Sequence, residues 1–92
     1  MTFTTERLPL AVYLHATADL NFSHCKKIAD DKVSFVFFDP SQKGNDLELE
    51  FERGGQVSAT ALFASQKFLR RKMSEALNNR KIGESLVHNP RS

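Results

Sequence analysis

The 92-residue chain has no Trp, one Tyr, one Cys, three Pro and four Gly, and each scarcity removes a class of protein. Cys25 alone cannot form an internal disulfide. Neither it nor the three scattered His fall at the C-x2-C or H-x3-H spacing of a metal site. No metal and no cofactor are expected, and a reducing, cytoplasmic setting is. No apolar run approaches the roughly 18 residues that cross a bilayer, and no basic segment leads into an apolar one at the start. Neither a membrane partner nor secretion is expected. No Gly-rich phosphate loop follows a strand, and the carboxylates are adjacent, alternating or solitary rather than paired across a cleft. An enzyme is therefore the least expected class, and no catalytic residue is assigned. Internal repeats and low-complexity segments are also missing.

What is present is an ordinary apolar share, 40%, that includes eight Phe. A chain of this length makes one domain with one modest core, burying about 60–70% of its unfolded surface. The expectation is a single compact α+β domain over residues 1–80 and a flexible tail over 81–92. Charge is uneven. Residues 1–52 carry five Lys or Arg against nine Asp or Glu, net −4, and residues 53–92 carry eight against two, net +6, which sums to the formal +2. A basic C-terminal part is permissive for polyanion binding and is also what a solvated helix face looks like.

Thr4-Thr5-Glu6-Arg7-Leu8-Pro9 reads as a helix start, with a Thr as cap and Pro9 in the first turn, and the helix runs to about Ala16. His15 has no Ser or Cys at i+3 or i+4 and reads as a satisfied core or boundary residue. From Leu20 to Ile28, Phe22, His24, Lys26 and Ile28 alternate against Asn21, Ser23, Cys25 and Lys27. Lys32 to Phe38 is the clearest strand, with Val33, Phe35 and Phe37 on one face and Ser34, Val36 and Phe38 on the other. The short polar Ala29-Asp30-Asp31 makes the two runs an antiparallel hairpin. His24 and Cys25 point to opposite faces and cannot act as a catalytic pair. Phe35-Val36-Phe37-Phe38 echoes the end of an RNA-recognition strand motif, but Asp31 and Val33 stand where that motif needs a basic and an aromatic residue.

Two readings compete for Asn45 to Arg53. Leu47, Leu49 and Phe51 alternating with Glu48, Glu50 and Glu52 argue a third strand. Helix-forming Leu and Glu, a cap from Asn45 or Asp46, the Leu47/Phe51 pair at i, i+4 and Gly54 just beyond argue a short helix. Ser58 then caps the longest amphipathic stretch, Ser58 to Leu77. On a helical wheel Ala61, Leu62, Ser65, Leu69, Met73 and Ala76 fall on one side; Lys67, Arg70, Arg71 and Ser74 fall on the other, with Phe63 among the cations.

Thr5-Glu6-Arg7-Leu8-Pro9-Leu10-Ala11-Val12-Tyr13-Leu14, Val33-Ser34-Phe35-Val36-Phe37-Phe38-Asp39-Pro40 and the segment Val57 to Met73 together resemble an uncharacterised family of small proteins carried by phages, plasmids and integrated elements of bacteria. Arg7 stands where that family usually has Asp, which weakens the helix start. The resemblance implies a helix for residues 45–53 and brings no catalytic residues.

The expected function is binding without catalysis. A nucleic-acid accessory protein of a mobile element would use Lys67, Arg70, Arg71, Arg80 and Lys81 on phosphates and Phe63 for stacking. The alternative is a protein-binding inhibitor or adaptor, such as a phage anti-defence or anti-CRISPR protein acting on a host nuclease complex, with Asp46, Glu48, Glu50 and Glu52 as its surface. A homodimer through the long helix or the hairpin edge is a third possibility.

Overall fold

In the computed structural model, which describes residues 1–78, the chain runs β1 (Thr2–Thr5), α1 (Leu8–Thr17), β2 (Asn21–Ala29), β3 (Lys32–Phe38), α2 (Gly44–Glu52) and α3 (Ala59–Leu77). The α+β class and the hairpin are as expected. The tail over 81–92, and with it Arg80 and Lys81, lies outside the described residues.

The first departure is β1. Thr4 and Thr5 were read as a helix start, yet the β-branched and aromatic Thr-Phe-Thr-Thr run pairs antiparallel with β3, Phe3 opposite Phe37 and Thr5 opposite Phe35. Thr5 serves both elements, because its Oγ1 accepts the Arg7 N–H at 3.1 Å and turns the chain into α1. The helix therefore begins at Leu8, with Pro9 in its first turn, where a missing N–H leaves nothing unpaired.

The sheet order is β1-β3-β2, with β3 in the centre. β2 pairs antiparallel with β3 through two register shifts, the first between Phe22 and His24. That bulge at Ser23 overturns the simple alternation read from the sequence. Phe22, Cys25 and Lys27 stand opposite Phe37, Phe35 and Val33 on the helix side, whereas His24 and Lys26 stand opposite Val36 and Ser34 on the other face. The helices pack on one face only. There Leu10, Leu14, Phe35, Phe37 and Leu69 are fully buried, with Phe22 and Cys25 partly buried against them. On the far face Phe38 is 52% exposed.

Residues 44–52 form a helix, which decides between the two readings. Leu47 is buried and Phe51 half-buried at i, i+4, while Leu49, which a strand would have placed beside them, is 53% exposed. The cap is neither Asn45 nor Asp46. Asp39, buried at the end of β3, accepts the N–H of Lys43 at 2.7 Å and of Gly44 at 2.8 Å, so one carboxylate ends the strand and starts the helix. Gly44 packs closely against the Phe3 side chain, and a Cβ there would overlap it. Arg7 extends over the Phe51 ring and bonds Glu52 at 2.7 Å and Glu48 at 3.3 Å, joining the start of α1 to α2. An Asp at position 7 would instead repel both carboxylates.

Ser58 caps α3 as expected, its hydroxyl accepting the Ala61 N–H at 3.1 Å. Ser65 and Leu69 are buried and Met73 and Ala76 half-buried, as the wheel requires. Leu62 departs from it. At 39% exposure it lies along a groove between α1 and the α2–α3 connection instead of in the core.

Candidate nucleic-acid interface

Helix α3 exposes one long ridge. Phe63, Lys67, Arg70 and Arg71 recur at i, i+4, i+7 and i+8 and so share a face directed away from Leu69. Phe63 is 69% exposed, the side chains of this face are solvated, and none of the three cations makes an ion pair among the described residues. Lys72, one position on, points elsewhere: it pairs with Glu75 at 3.6 Å and lies 5.5 Å from the centre of the Phe68 ring.

The acidic surface is less of a unit. Because 44–52 is helical, Asp46, Glu48, Glu50 and Glu52 do not form the row that a strand would present. Glu48 and Glu52 turn to Arg7, and Glu50 accepts a hydrogen bond from the Tyr13 hydroxyl at 3.3 Å. Burial, reinforced by the Glu50 charge, pushes the Tyr13 phenol up. Asp46, in the first turn of α2, is exposed.

A ladder of rings and a polar pair fix α3 against the rest. His15 stacks on Phe68 at 4.7 Å, Phe68 meets Phe22 edge-on at 5.6 Å, and Phe22 meets Phe37 edge-on at 5.5 Å. His15 Nδ1 lies 2.7 Å from the hydroxyl of buried Ser65, a partner fifty positions away that local spacing could not reveal. Burial lowers the His15 pKa, so the folded protein holds the ring neutral where the unfolded chain, at about 6.5, already takes up a proton. Stability contributed by the neutral ring is thus intact above the unfolded value and is lost as pH falls through it towards the lower folded value. Urea midpoints are expected to fall between about pH 7.5 and about pH 5.5, a window above the carboxylate range, and to fall less in His15→Gln.

Two concavities flank α3. On the α1 side a groove of about 700 Å³ is walled by Leu8, Val12, Phe51, Val57 and Leu62, with Arg70 at its rim. Gly55 closes its end, where a Cβ would meet the Tyr13 hydroxyl and the Glu50 carbonyl. On the β2 side a cleft of about 630 Å³ is walled by Phe22 and Phe68, with Lys27 and Lys72 across its mouth. Cys25 lines this cleft. Burial pushes its thiol up to about 11, Lys72 pulls the other way and Glu75 reinforces the rise. His24 gives it no help, since its Nδ1 is 2.8 Å from the Ser23 hydroxyl. At about pH 8 an aromatic disulfide reagent is expected to modify Cys25 at least ~10-fold more slowly in the folded protein than in urea, because the thiolate is the reacting form.

The sequence located the ridge and missed the cleft. Periodicity exposes a helix face, but the cleft joins Lys27 to Lys72 only through the β2 bulge and the packing of α3 on the hairpin. Phe68 was the available signal, the second Phe of α3, lying between the apolar and basic sides of the wheel.

By fold and surface this is a small α+β domain, a three-stranded antiparallel sheet backed by helices, whose last described helix carries a solvent-facing ridge of three cations and a Phe. No family model, no curated protein and no solved structure matches the chain.

Proposed function

We propose that this is a non-enzymatic accessory protein of a phage or mobile element that binds nucleic acid through the outer face of α3. The observation that carries the reading is the pairing of free and bound charge. Lys67, Arg70 and Arg71 stand beside exposed Phe63 with no ion-pair partner among the described residues, while Glu48 and Glu52 are held by Arg7 and Glu50 by Tyr13. Cations released from internal partners are what phosphate binding requires, and an exposed ring beside them suits base stacking. The phage or mobile-element setting rests on the three stretches quoted above. The inhibitor reading draws on Asp46, Glu48, Glu50 and Glu52, of which three are already engaged within the chain.

Titrating isotope-labelled protein with an oligonucleotide of about ten residues tests the location. Backbone amide shifts are expected to concentrate between Phe63 and Ser74, with α2 unmoved. Shifts centred on Asp46 to Glu52, or none at all, would refute it.

A further inference from the structure

The same helix says which form of nucleic acid it meets. Building on the nucleic-acid reading above, we infer that the ligand is single-stranded and that one of its unstacked bases enters the cleft between β2 and α3, with Lys27 and Lys72 on the flanking phosphates.

Phe63 gives the first reason. It is 69% exposed on a ridge otherwise made of cations. In a duplex the base faces are stacked on one another and offer an exposed ring nothing to cover. A single strand presents those faces, and stacking on an aromatic side chain holds them whatever the sequence.

The cleft gives the second. Its volume, about 630 Å³, lies in the range of small-ligand pockets, and the Phe22 and Phe68 rings, in edge-on contact at 5.6 Å, line it together. Its mouth carries Lys27 from β2 and Lys72 from α3, with the Ser23 hydroxyl and His24 ring beside them as hydrogen-bonding groups. A lining that sets two aromatic rings beside two cations complements a flat base attached to charged phosphates. A duplex is far too wide to enter. Among the described residues the one anion lining the site, Glu75, is half-exposed and holds Lys72 at 3.6 Å, an exposed pair of the weak kind that a phosphate can displace.

The third is continuity. Successive helix positions turn by about 100°. Arg71 therefore lies on the side of the ridge towards Phe68 and Lys72, and Arg70 on the side towards α1, in agreement with its place at the rim of the other groove. Phe63 and Lys72 are separated by about 13.5 Å along the axis at about 1.5 Å per residue. A strand stacked on Phe63 follows Lys67 and Arg71 and turns over the helix into the cleft.

Fluorescence anisotropy with labelled DNA and RNA strands of about ten nucleotides, and with a duplex of equal length, at about 50 mM salt, tests this. Tight binding of either strand, at least ~10-fold tighter than the duplex, supports the inference. So does a loss of at least ~10-fold in strand affinity for Lys27→Glu with Lys72→Gln, set against unchanged duplex binding. Both lysines are at the surface, and a melting curve checks that the variant is folded. A strand carrying a fluorescent base analogue gives a readout without any variant, since the emission of a base that leaves its stack to lie against Phe22 and Phe68 changes on binding. Equal affinity for strand and duplex overturns the inference, as does strand binding lost in Arg70→Glu with Arg71→Glu yet untouched by the lysine changes. In both cases the basic ridge survives as the binding surface. Absence of binding to any of the three probes removes the nucleic-acid reading itself.

Discussion

Replacing Arg70 and Arg71 together by Glu is expected to lower nucleic-acid affinity on the order of 100-fold at about 50 mM salt. The change reverses two of the three cations on the exposed ridge, so it removes two phosphate contacts and adds repulsion where they stood. Neither side chain has an ion-pair partner among the described residues, and both are exposed, so no ion pair among those residues is broken. The thermal midpoint should therefore move by only a few degrees, since surface substitutions of this kind are usually within about 0.5 kcal/mol. Anisotropy titration and a melting curve on the same preparation separate the two effects.

The adjacent residue behaves in the opposite way. Leu69 is 0% exposed and belongs to the central cluster with Leu10, Leu14, Phe35 and Phe37. Leu69→Ala leaves a cavity where α3 meets that cluster and is expected to cost about 2–5 kcal/mol. A domain of this size has only about 5–14 kcal/mol in total. A drop of about 10–30 °C in thermal midpoint follows, read by circular dichroism. Nucleic-acid affinity, measured well below the new midpoint, should fall only with the unfolded fraction. One turn of helix thus contains a fully buried core position and the two exposed cations proposed to contact phosphates.

That division was legible in the sequence because a helix imposes its period on burial. Ser65, Leu69, Met73 and Ala76 point inward, and Phe63, Lys67, Arg70 and Arg71 outward, as the wheel demands. Strand β3 was legible for a similar reason, since a β-branched and aromatic run flanked by Asp-Asp and Asp-Pro has few other uses. Other features depended on groups distant in sequence. β1 was hidden because Thr-Thr-Glu before Leu-Pro is also a good helix entrance, and only the free edge of β3 makes it a strand. The face of Phe22 was misread because a bulge has no signature in residue type. Asp39 looked like the end of a strand and is also the cap of α2, four and five positions ahead of its own backbone. For residues 44–52 the two periods agreed on Leu47 and Phe51 and differed on Leu49; the helix exposes that one Leu and makes the Asp39 cap and the Arg7 pairs. The same helix dispersed the acidic row and so removed a candidate surface that strand geometry would have preserved.

The central claim, that the ridge on α3 meets phosphates, is tested most directly by the salt dependence of affinity for a short single strand. With Lys67, Arg70 and Arg71 each neutralising one phosphate, and Lys27 and Lys72 two more at the cleft, log affinity should fall linearly with log salt, with a slope near −3.5 at about −0.7 per contact. The Arg70→Glu, Arg71→Glu variant should retain a slope no steeper than about −2.1. A wild-type affinity independent of salt, or identical slopes for the two proteins, would contradict it.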